Sequence, residues 1–343
     1  MKDPRVLFGI VISIVATVLL VYVVNPWEVL AALRGANPLA CLALLATVVL
    51  AMLTKAIRWR LFFPQPEKLR LKGLHEALYI GYMANTVLPL RAGEVVRAFV
   101  AAETEQASKS TTLATVLIEK VLDLGTMALL LFLLGLIFPD LPDSARYAAY
   151  LSGVGLVIAV GGVVFALAAR GLATRLAEWF EAKVPPLKSI GVSGLLNAFL
   201  DGLDFARNPL TMSWVILWTL VQWSISAATV TLALVAVGIF GSSPYELLQM
   251  TLLVLVATNL SMAIPSAPGY VGVFHGVFVA TLALFGVRED TATAAAVVEH
   301  ALVFGTFIVG GGYFLVRGEA GRAGGRRLGD LVSRARSTAD EAH

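Results

Sequence analysis

Apolar residues in this chain are gathered into long runs and do not alternate with polar ones. A helical run of about 20 apolar residues is long enough to cross the ~30 Å hydrocarbon core of a bilayer. The short alternating segments that typify the strands of a membrane β-barrel are not found. The pattern predicts six full transmembrane helices, at Pro4–Val24, Pro38–Ile57, Thr111–Phe138, Ala145–Ala169, Leu210–Gly238 and Thr291–Val316.

Two further apolar stretches are each interrupted in the middle. His75–Ala102 is broken by the segment 88–94, and Tyr245–Gly286 is broken by the segment 265–269, which contains two prolines. We predict that each stretch forms two short helices that enter and leave on the same side of the membrane. Irregular backbone at membrane depth is tolerated where protein or a water-filled cavity surrounds it. A kinked span or two full spans are the alternatives, and they stay open for the second stretch.

Composition agrees with this pattern and excludes a soluble enzyme. Charged residues make up 14% of the chain, against about 25% in soluble domains. The single cysteine, Cys41, permits no disulfide within the chain, and the four histidines form no pair with metal-ligand spacing. The glycine-rich tail lacks the G-K-[ST] signature of a phosphate loop. We therefore expect no metal, no cofactor and no nucleic-acid partner.

The distribution of lysine and arginine predicts the orientation. Cationic residues precede the first predicted span and follow the second, fourth and last spans, whereas the opposite loops contain only Arg34, Arg146 and Arg288. Cytoplasmic loops are rich in lysine and arginine. Both termini are therefore predicted to be cytoplasmic, in the cell (inner) membrane. The cytoplasmic group after the second span consists of Lys55, Arg58, Arg60, Lys68, Arg70 and Lys72.

The chain is predicted to form one polytopic membrane domain over residues 1–316, followed by a basic cytoplasmic tail at 317–343. Within the domain, residues 172–207 form a long cytoplasmic connection whose apolar and polar positions suit an amphipathic helix on the membrane surface. The alternative is an ordinary linker helix packed on the bundle.

A weak internal repeat divides the domain. The segment 112–126 resembles the segment 292–306, and each follows one of the interrupted stretches at a similar distance. The matched positions are Glu119 with Glu299, Lys120 with His300, Gly125 with Gly305, Pro89 with Pro265, Gly93 with Gly269 and Asn85 with Asn259. We predict repeat one over about 1–138 and repeat two over about 145–316, inverted because the first begins in the cytoplasm and the second outside. Inverted repeats with broken helices are typical of transporters that bind substrate near the bilayer midplane.

Three charged residues lie inside the third predicted span, namely Glu119, Lys120 and Asp123. A charge at the centre of a membrane helix costs at least about 2.5–3.5 kcal/mol, so such residues face the bundle interior and contact partners. Two interpretations follow. The three residues either bind a headgroup or ion, or belong to a salt-bridged network that holds the helices together.

The first break adds Arg91, Glu94 and Arg97. A guanidinium donates paired hydrogen bonds that suit a phosphate, which favours Arg91 as its ligand. The alternative is that Arg91 pairs with Glu94 or Glu119, and that Arg97 reaches the cytoplasmic surface. In the second half, Glu299 and His300 are the candidate substrate-binding residues. The residues predicted to line the cavity at the helix breaks are Asn85, Pro89, Gly93, Asn259, Pro265, Ser266, Pro268 and Gly269.

The pattern Asn85-x-x-x-Pro89-x-Arg91-x-Gly93-Glu94-x-x-Arg97, followed by Glu119-Lys120-x-x-Asp123 and by Pro265-x-x-Pro268-Gly269, resembles the membrane domain of lysylphosphatidylglycerol synthase. The resemblance covers about residues 5–316. It implies a helical, flippase-type domain that moves lipids or lipid-linked headgroups across the membrane. Because the chain ends 27 residues after Val316, we expect the soluble aminoacyltransferase domain of the synthase to be absent.

The sequence therefore predicts a lipid transporter and no catalytic residues. Its expected partners are the bilayer and a membrane lipid with a phosphate headgroup, together with a second copy of the chain or a lipid-modifying enzyme. Three alternatives stay open. They are a membrane-embedded polyprenyl-phosphate transferase, a transporter of small solutes, and a non-transporting partner that docks a cytoplasmic glycosyltransferase through residues 172–207.

Overall fold

The computed structural model describes residues 26–87, 93–138, 140–141, 143–183, 192–203, 208–262 and 268–318. These residues form twelve α-helices and no β-strand. Six of the helices are long and apolar enough to cross a membrane. The prediction of an all-α integral membrane protein is confirmed. The helices are α1 (Pro26–Gly35), α2 (Pro38–Arg60), α3 (Leu71–Val87), α4 (Gly93–Thr104), α5 (Lys109–Ile137), α6 (Asp143–Ala168), α7 (Arg170–Lys183), α8 (Val192–Gly202), α9 (Pro209–Ala236), α10 (Pro244–Ser261), α11 (Val273–Ala283) and α12 (Glu289–Arg317).

Five predicted spans correspond to α2, α5, α6, α9 and α12. The predicted span Pro4–Val24 lies outside the described residues. The sixth apolar helix of sufficient length is α10, the first arm of the second interrupted stretch. Its 18 residues correspond to about 27 Å at 1.5 Å per residue. This length suits a full crossing as well as a deep re-entrant arm, so re-entry there stays a prediction.

The first interrupted stretch forms α3 and α4, which pack against each other. With 17 and 12 residues, both helices are shorter than the ~20 residues of a full span. The second stretch forms α10 and α11, which also pack together, and a short 3₁₀ turn at Pro268–Tyr270 lies between them. The segments 88–92 and 263–267, which contain Pro89, Arg91, Pro265 and Ser266, lie outside the described residues.

Two helices start with the same local signal. Asn37 accepts hydrogen bonds at Oδ1 from the backbone N–H groups of Leu39 and Ala40, at 2.9 and 3.2 Å, and a proline occupies the first helical position of α2. Asn208 caps α9 in the same way, again followed by proline. An asparagine cap satisfies free N–H groups, and proline at the first position loses no helical hydrogen bond. The signal fixes where both helices begin.

The helices α2 and α9 pack along each other in antiparallel fashion. The backbone N–H of Asn37 at the start of α2 donates to the carbonyl of Ala236 at the end of α9, at 2.7 Å. Nearer the middle, the Thr54 hydroxyl donates to Gln222 Oε1 at 2.9 Å, and the Thr229 hydroxyl donates to Thr47 at 2.9 Å. These polar contacts join the first half of the chain, residues up to 138, to the second half, which begins at residue 143.

Other helices of one half pack on helices of the other half. The first arm of each interrupted stretch contacts the long charged helix of the opposite half, with α3 on α12 and α10 on α5. Two shorter helices also pack on a helix of the opposite half: α1 packs on α12, and α8 packs on α5. This intertwined arrangement is the one expected of two related halves. The inverted symmetry and the cytoplasmic location of both termini stay predictions.

The described part of the long connection contains α7 and α8. The helix α8 packs on α5 and α7, and its Leu200 is buried, as a linker helix on the bundle would. The helix α7 exposes one apolar stripe, formed by Leu172, Leu176, Trp179 and Phe180. Such a stripe at helical spacing suits a helix at a membrane surface. Its cytoplasmic location stays a prediction.

Candidate functional site

A cavity of about 330 Å³ lies between the two halves of the chain. Helices α2 to α5 form one side of it, which we call the first-half wall. Helices α9 to α12 and Tyr270 form the opposite side, the second-half wall. Most other lining residues are aliphatic or aromatic. The polar lining residues are Lys55, Tyr82, Asn85, Thr86, Glu94, Lys120, Asp123, Gln222, Ser226, Thr229, Thr258, Asn259, Tyr270 and Glu299.

Arg97 of α4 is fully enclosed behind the first-half wall. Its Nη2 lies 3.1 Å from Glu119 Oε2, and its Nη1 donates to Glu119 Oε1 at 3.3 Å. Its Nε lies 3.1 Å from Glu94 Oε2. The Arg97 side chain is 1% exposed and the Glu119 side chain is 0% exposed. Arg97 therefore does not reach the surface, and the snorkelling alternative is wrong.

A second arginine enters this cluster from α2. Arg58 Nη2 lies 2.6 Å from Asp123 Oδ1 and 3.7 Å from Glu119 Oε1, and its side chain is 0% exposed. On the cavity side, Lys120 Nζ lies 2.7 Å from Glu94 Oε1, and Asn85 Nδ2 donates to the same oxygen at 3.2 Å.

These six ionisable side chains are called the ion network here. Three of them are cations and three are carboxylates, so their formal charges sum to zero. The ion network joins α2, α4 and α5, and Asn85 adds α3. A buried ion pair is stable only with good geometry and further hydrogen bonds, and here each cation has a carboxylate partner. The members are Arg58, Glu94, Arg97, Glu119, Lys120 and Asp123.

Close backbone packing sets the position of α4. A Cβ added to Gly93 would lie 2.0 Å from the Gly81 carbonyl oxygen and 2.5 Å from the Asn85 backbone nitrogen. Only glycine fits at such a distance, and its absence of a side chain lets α3 and α4 cross closely. The Arg97 guanidinium lies 4.9 Å from the ring centre of Trp59, whose Nε1 donates to Thr115 at 3.0 Å. These contacts hold Arg97 against Glu119.

The second-half wall has a different chemistry. Glu299 is 8% exposed and makes no hydrogen bond or ion pair with another described residue. The neighbouring His300 has Nδ1 3.2 Å from His275 Nε2. Its ring also lies 4.3 Å from that of Phe304 and 5.4 Å from that of Phe274. The second-half wall and the residues beside it therefore combine a buried acid, an imidazole pair and aromatic rings in tilted and edge-to-face contact.

The Pro268–Tyr270 turn connects this wall to the first half. Gly269 adopts a left-handed conformation with φ of +67°, and the turn packs on α3. A Cβ on Gly269 would lie 3.6 Å from the Thr86 carbonyl oxygen. The turn that follows the second interruption therefore contacts α3, the helix that carries Asn85.

The cavity brings together six of the predicted site residues, listed here in chain order: Asn85, Glu94, Lys120, Asp123, Asn259 and Glu299. Another group lies behind or beside the walls: Gly93, Arg97, Glu119, Gly269 and His300. Pro268 begins the turn that follows the second break. Pro89, Arg91, Pro265 and Ser266 lie outside the described residues. Substrate binding by any of these residues stays a prediction.

Sequence reasoning missed Lys55 and Arg58. Both were assigned to a cytoplasmic loop, but α2 continues to Arg60. Lys55 lines the cavity, and Arg58 is buried in the ion network. The loop assignment was wrong, because Arg58 lies on α2 and is neutralised inside the bundle by carboxylates of α5. That this end of α2 faces the cytoplasm stays a prediction. The three-residue spacing of Lys55 and Arg58 places them on one helix face, and this was the available signal.

Comparison with known proteins gives one family and two relatives. Residues 6–311 match the family model described as the lysylphosphatidylglycerol synthase TM region. Glycosyltransferase AglD of Haloferax volcanii is 28% identical over 90% of this chain and 54% of its own length. A UPF0104 membrane protein of Methanothermobacter thermautotrophicus is 25% identical over 86% of this chain and 90% of the relative. The chain thus spans about half the length of AglD. No solved structure matches it.

Proposed function

Because the chain belongs to the family of the lysylphosphatidylglycerol synthase TM region, we propose that this multi-pass membrane protein is a lipid transporter. In this proposal a polar headgroup passes through the cavity between the two halves, while the acyl or prenyl tails stay in the bilayer. The protein would lie in the cell membrane with both termini in the cytoplasm. No reaction on the lipid is proposed.

One observation carries the proposal: the cavity is both amphipathic and shared between the halves. Among the described residues, four of its five ionisable acidic and basic residues, Lys55, Glu94, Lys120 and Asp123, belong to the first-half wall. The second-half wall adds Glu299 and aromatic residues such as Phe304 and Phe307. A polar headgroup finds charges and hydroxyl groups there, and the apolar surface suits the start of a lipid tail. A site between two halves can open to either side by a change in their packing, as in transporters built from repeats.

The volume of the cavity fits a headgroup better than a whole lipid. Small-ligand sites are about 300–1,000 Å³, and the cavity of about 330 Å³ lies at the small end. The long tails would therefore remain outside it. This division is expected of a protein that lowers the cost of carrying a polar group through hydrocarbon.

Lipid movement in proteoliposomes tests the proposal. Purified protein is reconstituted into vesicles that contain labelled anionic, zwitterionic or polyprenyl-phosphate lipid, with and without an imposed proton gradient. We expect faster movement of at least one phosphate-containing lipid than in protein-free vesicles. A blocking variant replaces Ala51, which lines the cavity on α2, with Trp. We expect the larger side chain to block lipid movement while the unfolding midpoint stays close to that of wild type. Equal rates with and without protein, for every lipid and gradient, would refute transport.

The relative AglD favours a second candidate, in which the chain serves a glycosyltransferase without moving lipid. AglD is described as a glycosyltransferase, and this chain matches about half of it. In this case a partner enzyme would bind the surface of α7 and α8. Replacing the exposed Trp179 and Phe180 with serine would then abolish partner binding, whereas it would leave lipid movement unchanged if the transporter proposal is right.

A further inference from the structure

Two ionisable side chains of the cavity form no direct ion pair with any described residue. The formal charges of the six members of the ion network cancel. Lys55 and Glu299 both line the cavity and both lie outside this network. They belong to opposite walls, on α2 and α12.

The ammonium group of Lys55 lies over two aromatic rings. The carboxylate of Asp123 also acts on it electrostatically, but that carboxylate is directly paired with Arg58. The Nζ of Lys55 lies 5.5 Å from the ring centre of Tyr82 and 5.9 Å from that of Trp223. Contact with ring faces stabilises a cation by only about 0.5–2 kcal/mol. Within the described part of the chain Lys55 forms no salt bridge. An anion that enters the cavity would complete its coordination.

The carboxyl group of Glu299 requires a hydrogen-bond donor. The residue is 8% exposed, and its Oε2 is buried without a hydrogen-bond partner among the described residues. Buried polar groups almost always have a partner, because leaving one unsatisfied costs about 1–3 kcal/mol. A ligand that donates a hydrogen bond, such as an ammonium or hydroxyl group, would satisfy this carboxyl group.

We infer that Lys55 and Glu299 are the two poles of one binding site for a headgroup that carries both a phosphate and a hydrogen-bond donor. The phosphate of the headgroup binds Lys55, and an N–H or O–H donor of the same headgroup binds Glu299. Neutral polar groups of Gln222, Ser226 and Asn259 lie along the cavity with them and suit the remaining oxygens. The inference rests on the proposed function for its choice of a lipid, and it assigns the ion network a positioning role.

This site discriminates between headgroups by their hydrogen-bond donors. Phosphatidylethanolamine has a phosphate and an ammonium donor, and phosphatidylglycerol has a phosphate and hydroxyl donors. Phosphatidylcholine has a phosphate but no donor, and diacylglycerol has no phosphate. The first two lipids should bind more tightly than the last two.

The test measures dissociation constants of these four lipids in short-chain form, by calorimetry on the purified full chain in detergent. We expect ethanolamine or glycerol lipid to bind wild type about tenfold more tightly than the choline lipid, the difference of roughly one charge-assisted hydrogen bond. Binding of all four lipids with equal affinity would overturn the inference.

Variants of Lys55 test the phosphate pole. Lys55→Gln should weaken binding of the phosphate lipids about tenfold and leave diacylglycerol unchanged, while Lys55→Arg keeps most of the affinity. The matched control is Lys109→Gln, because Lys109 also lies over a ring, that of Phe99 at 4.9 Å, but is exposed and outside the cavity. Equal effects of Lys55→Gln and Lys109→Gln would exclude the phosphate pole.

Variants of Glu299 test whether this residue binds the hydrogen-bond donor of the headgroup. They also distinguish an ammonium donor from a hydroxyl donor. Glu299→Leu should remove the preference over phosphatidylcholine. Glu299→Gln keeps an acceptor oxygen, so binding of a hydroxyl donor survives and binding of an ammonium donor weakens about tenfold. The exposed Glu289→Gln is the matched control. A preference that persists in Glu299→Leu would overturn the donor pole.

Failure of this inference differs from failure of the proposed function. Movement of a lipid in vesicles with no headgroup preference in binding would keep the transporter and refute the two-pole site. Selective binding that depends on Lys55 and Glu299, without movement in vesicles, would keep the site and refute transport.

Discussion

Glu119 of α5 and Glu299 of α12 occupy matched positions in the predicted repeat, but their surroundings differ sharply. Glu119 is enclosed by two arginines, Arg97 and Arg58, with its oxygens 3.1–3.7 Å from guanidinium nitrogens. Glu299 is also buried, but it has neither an arginine nor a hydrogen-bond donor among the described residues. The same residue type at the same offset therefore serves two different purposes.

The difference separates what the two predicted repeats share from what they do not. Both acids lie on long helices that contact the first arm of the opposite interrupted stretch. The partners diverge, because α4 contributes Arg97 and α2 contributes Arg58 to the first half only. Glu119 belongs to the ion network, whereas Glu299 lines the cavity.

The largest expected effect comes from Glu119→Gln. This change leaves Arg97 and Arg58 buried with too little negative charge, and breaking a buried pair costs about 3–5 kcal/mol. We expect the free energy of unfolding in detergent to fall by that amount, measured by denaturant titration. A loss below ~1 kcal/mol would show that the ion network does not hold α2, α4 and α5 together.

A comparison of two glycines sharpens the contrast between the short helices of the two halves. Gly93→Ala places a methyl group 2.0 Å from the Gly81 carbonyl oxygen, and overpacking of this kind costs about 1–3 kcal/mol. Gly276→Ala in α11 meets no atom within 4 Å, so the higher helix propensity of alanine should raise stability by up to ~1 kcal/mol. Unfolding midpoints of the two variants measure both effects. Equal destabilisation would contradict the close crossing of α3 and α4.

A double-mutant cycle on Arg58 and Asp123 tests the connection between α2 and α5. The two side chains lie 2.6 Å apart and are mostly buried, so we expect a coupling energy of about 1–3 kcal/mol. The matched pair is Arg288 and Asp290, which lie 3.4 Å apart but are 80% and 69% exposed. Exposed pairs contribute about 0–1 kcal/mol. A coupling no larger at Arg58–Asp123 than at this surface pair would argue against the buried network.

Glu299→Gln is expected to change stability least. The described residues include no cation that depends on this carboxyl group, so its removal leaves no uncompensated charge. We expect a change within about 1 kcal/mol in either direction, in contrast to Glu119→Gln. A loss as large as that of Glu119→Gln would mean that Glu299 has a structural partner and is not available to a ligand.

Hydropathy was sufficient to predict most of the described architecture. The apolar runs identified α2, α5, α6, α9 and α12, and the proline-containing breaks separated α3 from α4 and α10 from α11. Run length could not decide whether α10 crosses the membrane, because its 18 residues lie at the boundary between a short span and a long re-entrant arm.

The candidate site was predicted less completely, for a physical reason. The acids within α5 were recognisable because a charge inside an apolar run is costly. Lys55 and Arg58 lie at the end of such a run. At that place the sequence does not distinguish a cation in a loop from a cation buried in an ion pair. Only the fold shows that Asp123, 65 positions away from Arg58, comes within 2.6 Å of it. A pairing of this range leaves no local pattern in the sequence.

The zero net charge of the ion network has a consequence for the surrounding solution. Arg58, Arg97 and Glu119 are at most 1% exposed, so dissolved ions cannot approach them. Screening acts over a Debye length in water and reaches buried pairs far less. The protein thus carries its own fixed counter-ions in the interior of the helical bundle, and the stability of this region should be nearly independent of the ionic strength of the surrounding solution.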